Sequence, residues 1–279
     1  MNALSNLIDA GIRLLPFMVL FLCLSLAAKR STFWSHAWAA RHEIKTNMAI
    51  WIFDILFVLP IVLLPAIWLT EIAPVSKVLK NFWIEVPIIL TIIATVLAGD
   101  FISYWRHRLE HCPILWPSHA VHHSDTAFNW FTLYRMHPVN RFTTVTIDTL
   151  LLALLGFPPT ALIANALVRN AWGSFIHADL PWRLGLLGAI FISPVAHRVH
   201  HIDDSKLAGH NFATVFTFWD RWFGTWLPGE GLERCSTGVD EGSRKFIGEM
   251  ARPIEALIHA CKRQTRDPAN KGAVGTDAA

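Results

Sequence analysis

Residues 86–123 read VPIILTIIATVLAGDFISYWRHRLEHCPILWPSHAVHH, and two physical patterns meet there. From Val86 to Trp105 the run is apolar except for Asp100 near its end. A helix of about 20 such residues crosses a hydrocarbon layer of roughly 30 Å. The run then gives way to His107 and His111, and after a short break to His119, His122 and His123. Spacings of three and four put side chains on one helical face. A spanning helix that leads straight into clustered imidazoles predicts an all-α integral membrane protein with a metal site at the lipid boundary.

The rest of the chain supports that class. Of its 279 residues, 53% are apolar and only 16% charged, and the mean hydropathy is +0.38. Soluble domains carry about 25% charge, so an ordinary cytosolic protein is excluded. Low-complexity disorder is excluded too, because 13 Trp and 18 Phe would not stay solvated. The net charge of +3 comes with no Lys/Arg stripe, which argues against nucleic acid as a partner. The four cysteines form no C-x-x-C pair and do not suggest a disulfide scaffold.

Two further runs, Leu7 to Ala28 and Met48 to Leu69, are long enough to span, the second broken only by Asp54. No basic segment precedes Leu7, so that run reads as a retained helix rather than a signal peptide, although Ser25-Leu26-Ala27 loosely resembles a cleavage site. Phe142 to Ile176 is interrupted by Gly156-Phe157-Pro158-Pro159, which should break a helix. Its two halves read as a helical hairpin returning to its starting side, as the histidines on either side of it require. The expected architecture is about four transmembrane helices, one of them this hairpin, with a cytosolic helical cap carrying the histidines. Lys29, Arg30, Arg41 and Lys45 follow the first span, and Arg106, Arg108, Arg135 and Arg141 follow the third. Only Lys77 and Lys80 follow the second, so the first and third loops are expected inside. The chain divides into N-terminal spans (1–99), a histidine-bearing region (100–230, with the hairpin at 142–176) and a C-terminal segment (231–279). In the last, Pro253 to Lys262 fits a short amphipathic helix and the residues from Arg266 a disordered tail.

The H-x-x-H-H pattern of His119, His122 and His123 is repeated by His197, His200 and His201. With His107, His111 and His177, which directly follows the hairpin, nine imidazoles are candidate ligands. That exceeds a structural zinc site, which takes four ligands and usually includes Cys. It suits two metals in nitrogen-rich coordination, although imidazole serves Fe, Zn, Cu and Ni alike. Two redox metals at a lipid boundary imply O₂ activation and attack on an acyl or ring C–H bond, with no separate acid–base residue required. Asp100 shares a face with Tyr104, His107 and His111 and is expected to hold an imidazole N–H. His137, before Pro138, reads as a turn residue beside the site, while His36, His42 and His259 read as surface residues. Two other readings compete. His107-Arg-Leu-Glu110-His111 fits the H-x-x-E-H of zinc peptidases, with Glu110 as general base. That leaves both H-x-x-H-H clusters unexplained. A metal transporter would place its histidines at membrane depth, whereas these sit beside Arg-rich segments at the ends of the spans.

Taken together, these residues resemble the fatty acid hydroxylase/sterol desaturase superfamily of integral-membrane di-iron enzymes. Asp100 to His111 looks like D-x-x-x-Y-W-x-H-R-x-x-H, and Pro194 to His201 like P-x-x-H-R-V-H-H. Asn211-Phe212, followed by Trp219 to Thr225, looks like a closing N-Y/F-G … W-D-R-x-F-G-T signature, with Ala213 in place of Gly. The resemblance covers roughly Asp100 to Thr225. It implies two non-haem irons among the histidines, with Asn211 in support, a lipid substrate in the membrane, and O₂. It also implies electrons from NAD(P)H through a cytochrome b5-like or ferredoxin/reductase partner. The absence of a fused cytochrome b5 domain leans towards a bacterial plasma membrane with the site on the cytoplasmic side. In a eukaryote the expected location is the ER membrane.

Overall fold

The computed structural model describes residues 3–204, 206, 207 and 209–266. Among these the protein is helical, with only two isolated β-bridges, Phe191–Phe216 and Ile202–Thr237. Helix α1 (Ala3–Lys29) leads through a 3₁₀ turn into α2 (Phe33–Ala39). Helix α3 (Arg41–Phe53) continues through a π turn at Asp54–Val58 into α4 (Leu59–Ile72). Helix α5 (Lys77–Glu85) begins where the Ser76 hydroxyl accepts from Val78 N at 3.2 Å, and it connects to α6 (Ile88–Glu110). Among the described residues, three helical stretches are long and apolar enough to cross a membrane: Leu15–Ala39, Arg41–Ile72 and Ile88–Glu110.

The charge inside the second apolar run has a local solution. Asp54 is buried, and Arg141 reaches it with Nε at 2.8 Å from Oδ1 and Nη2 at 2.7 Å from Oδ2. The two-pronged contact neutralises a carboxylate that would be costly in hydrocarbon.

The broken apolar segment forms α8 (Pro138–Leu154) and α9 (Pro159–His177), which α6 packs against on both sides. The break falls at the expected residues. Gly156 has φ +80°, and a Cβ there would come within 2.9 Å of Leu79 Cβ, so glycine is required twice over. The return run of α9 ends on His177 and brings it to the same end of the bundle as His107.

The cap comprises α7 (Trp116–His123), α10 (Pro194–His200), α11 (Thr217–Trp222) and α12 (Phe246–Arg266). The C-terminal amphipathic segment is longer than the sequence suggests, starting at Phe246 rather than Pro253, and it packs on α7 and α3. The expected tail after Arg266 lies outside the described residues. Arg135 joins these parts. It is fully buried and donates to Glu43 Oε2 (2.7 Å), Asn47 Oδ1 (3.0 Å), Val121 O (2.9 Å) and Glu249 Oε1 (2.6 Å). One guanidinium thus ties α3, α7 and α12 together, each donor with an acceptor.

Candidate metal centre

The nine histidines gather into two groups, and neither group is a single sequence motif. His107, His111, His119, His123 and His200 form one, and His122, His177, His197 and His201 the other, with the ligand atoms of each within 4.8 Å of one another. Each H-x-x-H-H box serves both. On α7, His119 and His123 are four residues apart and turn to the first group, while His122 turns to the second. At the end of α10, His200 joins the first, and His197 and His201, again four apart, join the second. The sequence suggested that each box converges on one point. The i, i+4 pair does so, and the third histidine, rotated about 100° away on the helix, supplies the other group.

The protonation pattern fits a cation at each point. His107 Nδ1 lies 2.8 Å from Phe212 O, His200 Nδ1 2.7 Å from His210 O, and His177 Nδ1 2.7 Å from Gly173 O. A carbonyl only accepts, so each Nδ1 carries the proton and each Nε2 presents a lone pair when the ring is neutral. Those Nε2 atoms face one another: His200 to His107 at 2.9 Å, His177 to His122 at 3.1 Å and His197 to His177 at 3.2 Å. Burial pushes the His111, His119, His123, His197, His200 and His201 imidazoles well below their ordinary range, and His122 to about 4. These rings are therefore neutral near pH 7, and the facing lone pairs of His107 and His200, at 2.9 Å, repel unless a cation lies between them. Both nitrogens of His201 are buried without a hydrogen-bond partner, as are Nδ1 of His122 and of His197. A metal would use one nitrogen on each ring.

The backbone carbonyls at 210 and 212 are functional groups that the side-chain motifs do not show. Asn211, between them, adopts a left-handed conformation (φ 56°), which Asn tolerates better than most residues. Its Nδ2 donates to Ala196 O (2.8 Å) and Leu227 O (2.7 Å), and its Oδ1 accepts from Leu227 N (2.9 Å). Asp100 does not hold an imidazole as its helical position suggests. Its two oxygens accept the backbone N–H groups of Thr214 (3.1 Å), Val215 (2.9 Å) and Phe216 (2.9 Å). Asp220 does likewise for Phe212 N (2.8 Å) and Ala213 N (3.1 Å), and burial raises its carboxyl to about 6. The two aspartates therefore fix residues 212–216, and through Phe212 O they orient His107. His137 caps α8, its Nδ1 accepting from Val139 N at 3.2 Å, and stands in neither group. His210 contributes its carbonyl oxygen and not its ring.

Glu110 is committed elsewhere. It pairs with Arg106 Nη1 (2.9 Å), accepts from Thr143 Oγ1 (2.6 Å) and lies 3.5 Å from His119 Nδ1. Both of its oxygens are thus engaged and it stands in neither histidine group, so the structure gives the peptidase reading no free carboxylate to activate water. The histidines also form part of the wall of a cavity of about 340 Å³ between α6, α8 and α9. His107 and His119 line it from the first group, and His122, His177 and His197 from the second. Leu133, Leu152, Leu162 and Ile176 form apolar wall, whereas Arg106, Asp148 and Arg169 are joined in one ion-paired chain.

Residues 92–225 match the fatty acid hydroxylase family. An alkylglycerol monooxygenase from Danio rerio is 34% identical over 133 residues, 47% of this chain and 29% of that protein. The ornithine lipid hydroxylase OlsE of Rhizobium tropici is 25% identical over 188 residues, 66% of this chain and 57% of that protein. A lathosterol oxidase from Rattus norvegicus is 27% identical over 171 residues, 61% of this chain and 53% of that protein. The chain thus spans less than two thirds of the length of these curated relatives. No solved structure matches it.

Proposed function

Because residues 92–225 of this chain belong to the fatty acid hydroxylase family, we propose that it is a membrane-bound di-iron oxygenase that hydroxylates a lipid. The overall change is R–H + O₂ + 2e⁻ + 2H⁺ → R–OH + H₂O, with the electrons drawn from NAD(P)H through a cytochrome b5-like or ferredoxin partner. The observation that carries this reading is the arrangement of nine imidazoles as two groups, five of them lining one cavity. His107, His111, His119, His123 and His200 would hold one iron, and His122, His177, His197 and His201 the other. When bound, the two irons supply O₂ reduction and the oxidant for C–H cleavage.

The chain's own residues supply the rest. Phe212 O, His210 O and Gly173 O keep the Nδ1 protons in place, so that Nε2 is the ligating atom. The apolar wall takes hydrocarbon and keeps water from the reacting carbon. The Glu110–Arg106–Asp148–Arg169 chain pairs two carboxylates with two guanidiniums, so its charges balance locally and it suits an uncharged polar group, such as a hydroxyl or ether oxygen. We therefore read the substrate as an amphiphile oxidised near its polar end, in keeping with relatives whose names specify an alkylglycerol and an ornithine lipid. The basic residues of the first and third loops favour a site on the cytoplasmic face, in a bacterial plasma membrane or, in a eukaryote, the ER.

Growth of an expressing host under ¹⁸O₂, followed by mass spectrometry of its lipids, tests the reading. The expected result is a lipid class gaining one ¹⁸O with the wild-type chain and not with His200→Ala. Lipids identical in the two strains would overturn it. A class losing two hydrogens without gaining oxygen would replace hydroxylation by desaturation.

A further inference from the structure

A second concavity lies on the other side of the histidines. It has a volume of about 590 Å³ and runs along α1, closed at one end by Asp179 and Arg198. Its wall on α1 is formed by Leu15, Met18, Val19 and Leu22, all at least 40% exposed. This wall belongs to a segment apolar enough to cross a membrane. From Leu15 to Lys29 the helix rises about 21 Å, more than the roughly 15 Å of hydrocarbon in one leaflet. At the closed end, Lys29 Nζ lies 2.6 Å from Asp179 Oδ2, and Arg198 Nη1 3.2 Å from Asp179 Oδ1. Two cations thus share one carboxylate, leaving a single positive charge. Arg198 Nε is in addition buried without a hydrogen-bond partner.

We propose that this groove binds one anionic glycerophospholipid of the surrounding bilayer, with an acyl chain along the Leu15–Leu22 wall and its phosphate at Lys29 and Arg198. Three observations converge on that occupant. The wall is apolar at membrane depth, the end formed by Lys29, Asp179 and Arg198 carries net positive charge, and an orphaned guanidinium nitrogen there lacks an acceptor. The basic loop that follows α1 also faces the leaflet in which anionic lipids concentrate. The site is separate from the cavity lined by the histidines. Phe128 stands between, lining the groove on one side and stacking at 5.4 Å on the His177 ring on the other. A lipid in the groove therefore packs behind the ring that backs the second histidine group. The site does not depend on the hydroxylase reading.

Native mass spectrometry of the full-length, detergent-purified protein tests this, with dioleoylphosphatidylglycerol, dioleoylphosphatidylcholine and oleate added in turn. The first phosphatidylglycerol should bind about tenfold more tightly than phosphatidylcholine. Lys29→Glu should abolish that preference and Lys29→Arg preserve it, and Val19→Trp, which fills the groove, should weaken both phospholipids. Thermal melts of the variants guard against a folding defect, and Lys29→Met replaces Lys29→Glu if the latter melts early. Equal binding of the two phospholipids, or a preference that survives both Val19→Trp and the loss of the Lys29 charge, would overturn the proposal. Oleate binding more tightly than phosphatidylglycerol would do so too, by assigning the groove to a free acid.

Discussion

His107 shows how much of the centre depends on a proton's position. Its Nδ1 is held by Phe212 O, and that carbonyl stays in place because Asp220 and Asp100 accept the N–H groups of residues 212–216. Replacing Asp100 by Asn puts a donor where an acceptor stood, so one of three buried N–H groups loses its partner. That should lower stability by about 1–3 kcal/mol and weaken metal retention, as read by thermal melts with and without added Fe²⁺. Protonation matters at the other residues as well. Below about pH 6.5 the unfolded chain takes up protons at imidazoles that are buried and neutral in the folded state, so stability falls with pH. For His122 that loss runs from 6.5 down to about 4. A metal-stripped sample should accordingly melt several degrees lower at pH 5.5 than at pH 7.5, and equal melting temperatures would contradict the burial of these rings. The histidines themselves were legible from spacing. The role of Asp100 was not, because helical phase gives a direction and cannot tell a backbone N–H from an imidazole lying in it.

At the scale of elements, the hairpin and its break were readable, since Gly156 and Pro158-Pro159 leave few conformations open. The division of each H-x-x-H-H box between the two histidine groups was not. It depends on how α7 and α10 are rotated against each other, which no single helix encodes. Arg135 was counted only among the basic residues that follow the third span, and it is buried among Glu43, Asn47 and Glu249, partners far away in sequence. Close packing of α6 on α9 gives a test at this level. A Cβ on Gly99 would come within 2.5 Å of Asn165 Oδ1. Gly99→Ala should therefore cost about 1–2 kcal/mol by overpacking, and Gly99→Ala/Asn165→Ala should recover most of it. A melting temperature unchanged by Gly99→Ala alone would mean that the two helices are further apart than described.

At the scale of the whole molecule, the bundle and the cap build the centre together. Helices α6, α8 and α9 enclose the cavity, the hairpin returns His177 to the end of α6 that carries His107, and α7 and α10 complete the two histidine groups. Composition and hydropathy identified the membrane class, because hydrocarbon tolerates few backbone solutions besides helices. The proposed lipid substrate and electron donor leave no comparable pattern in the chain, since recognition of either would depend on the shape and charge of assembled surfaces. The most direct test is the number of metals held by the purified protein, counted by elemental mass spectrometry on material without a His tag. The two-group account predicts about two per chain, falling to about one in either His200→Ala or His197→Ala, with the two variants losing different equivalents. One metal per chain, lost with His111→Ala and unaffected by His197→Ala, would contradict it.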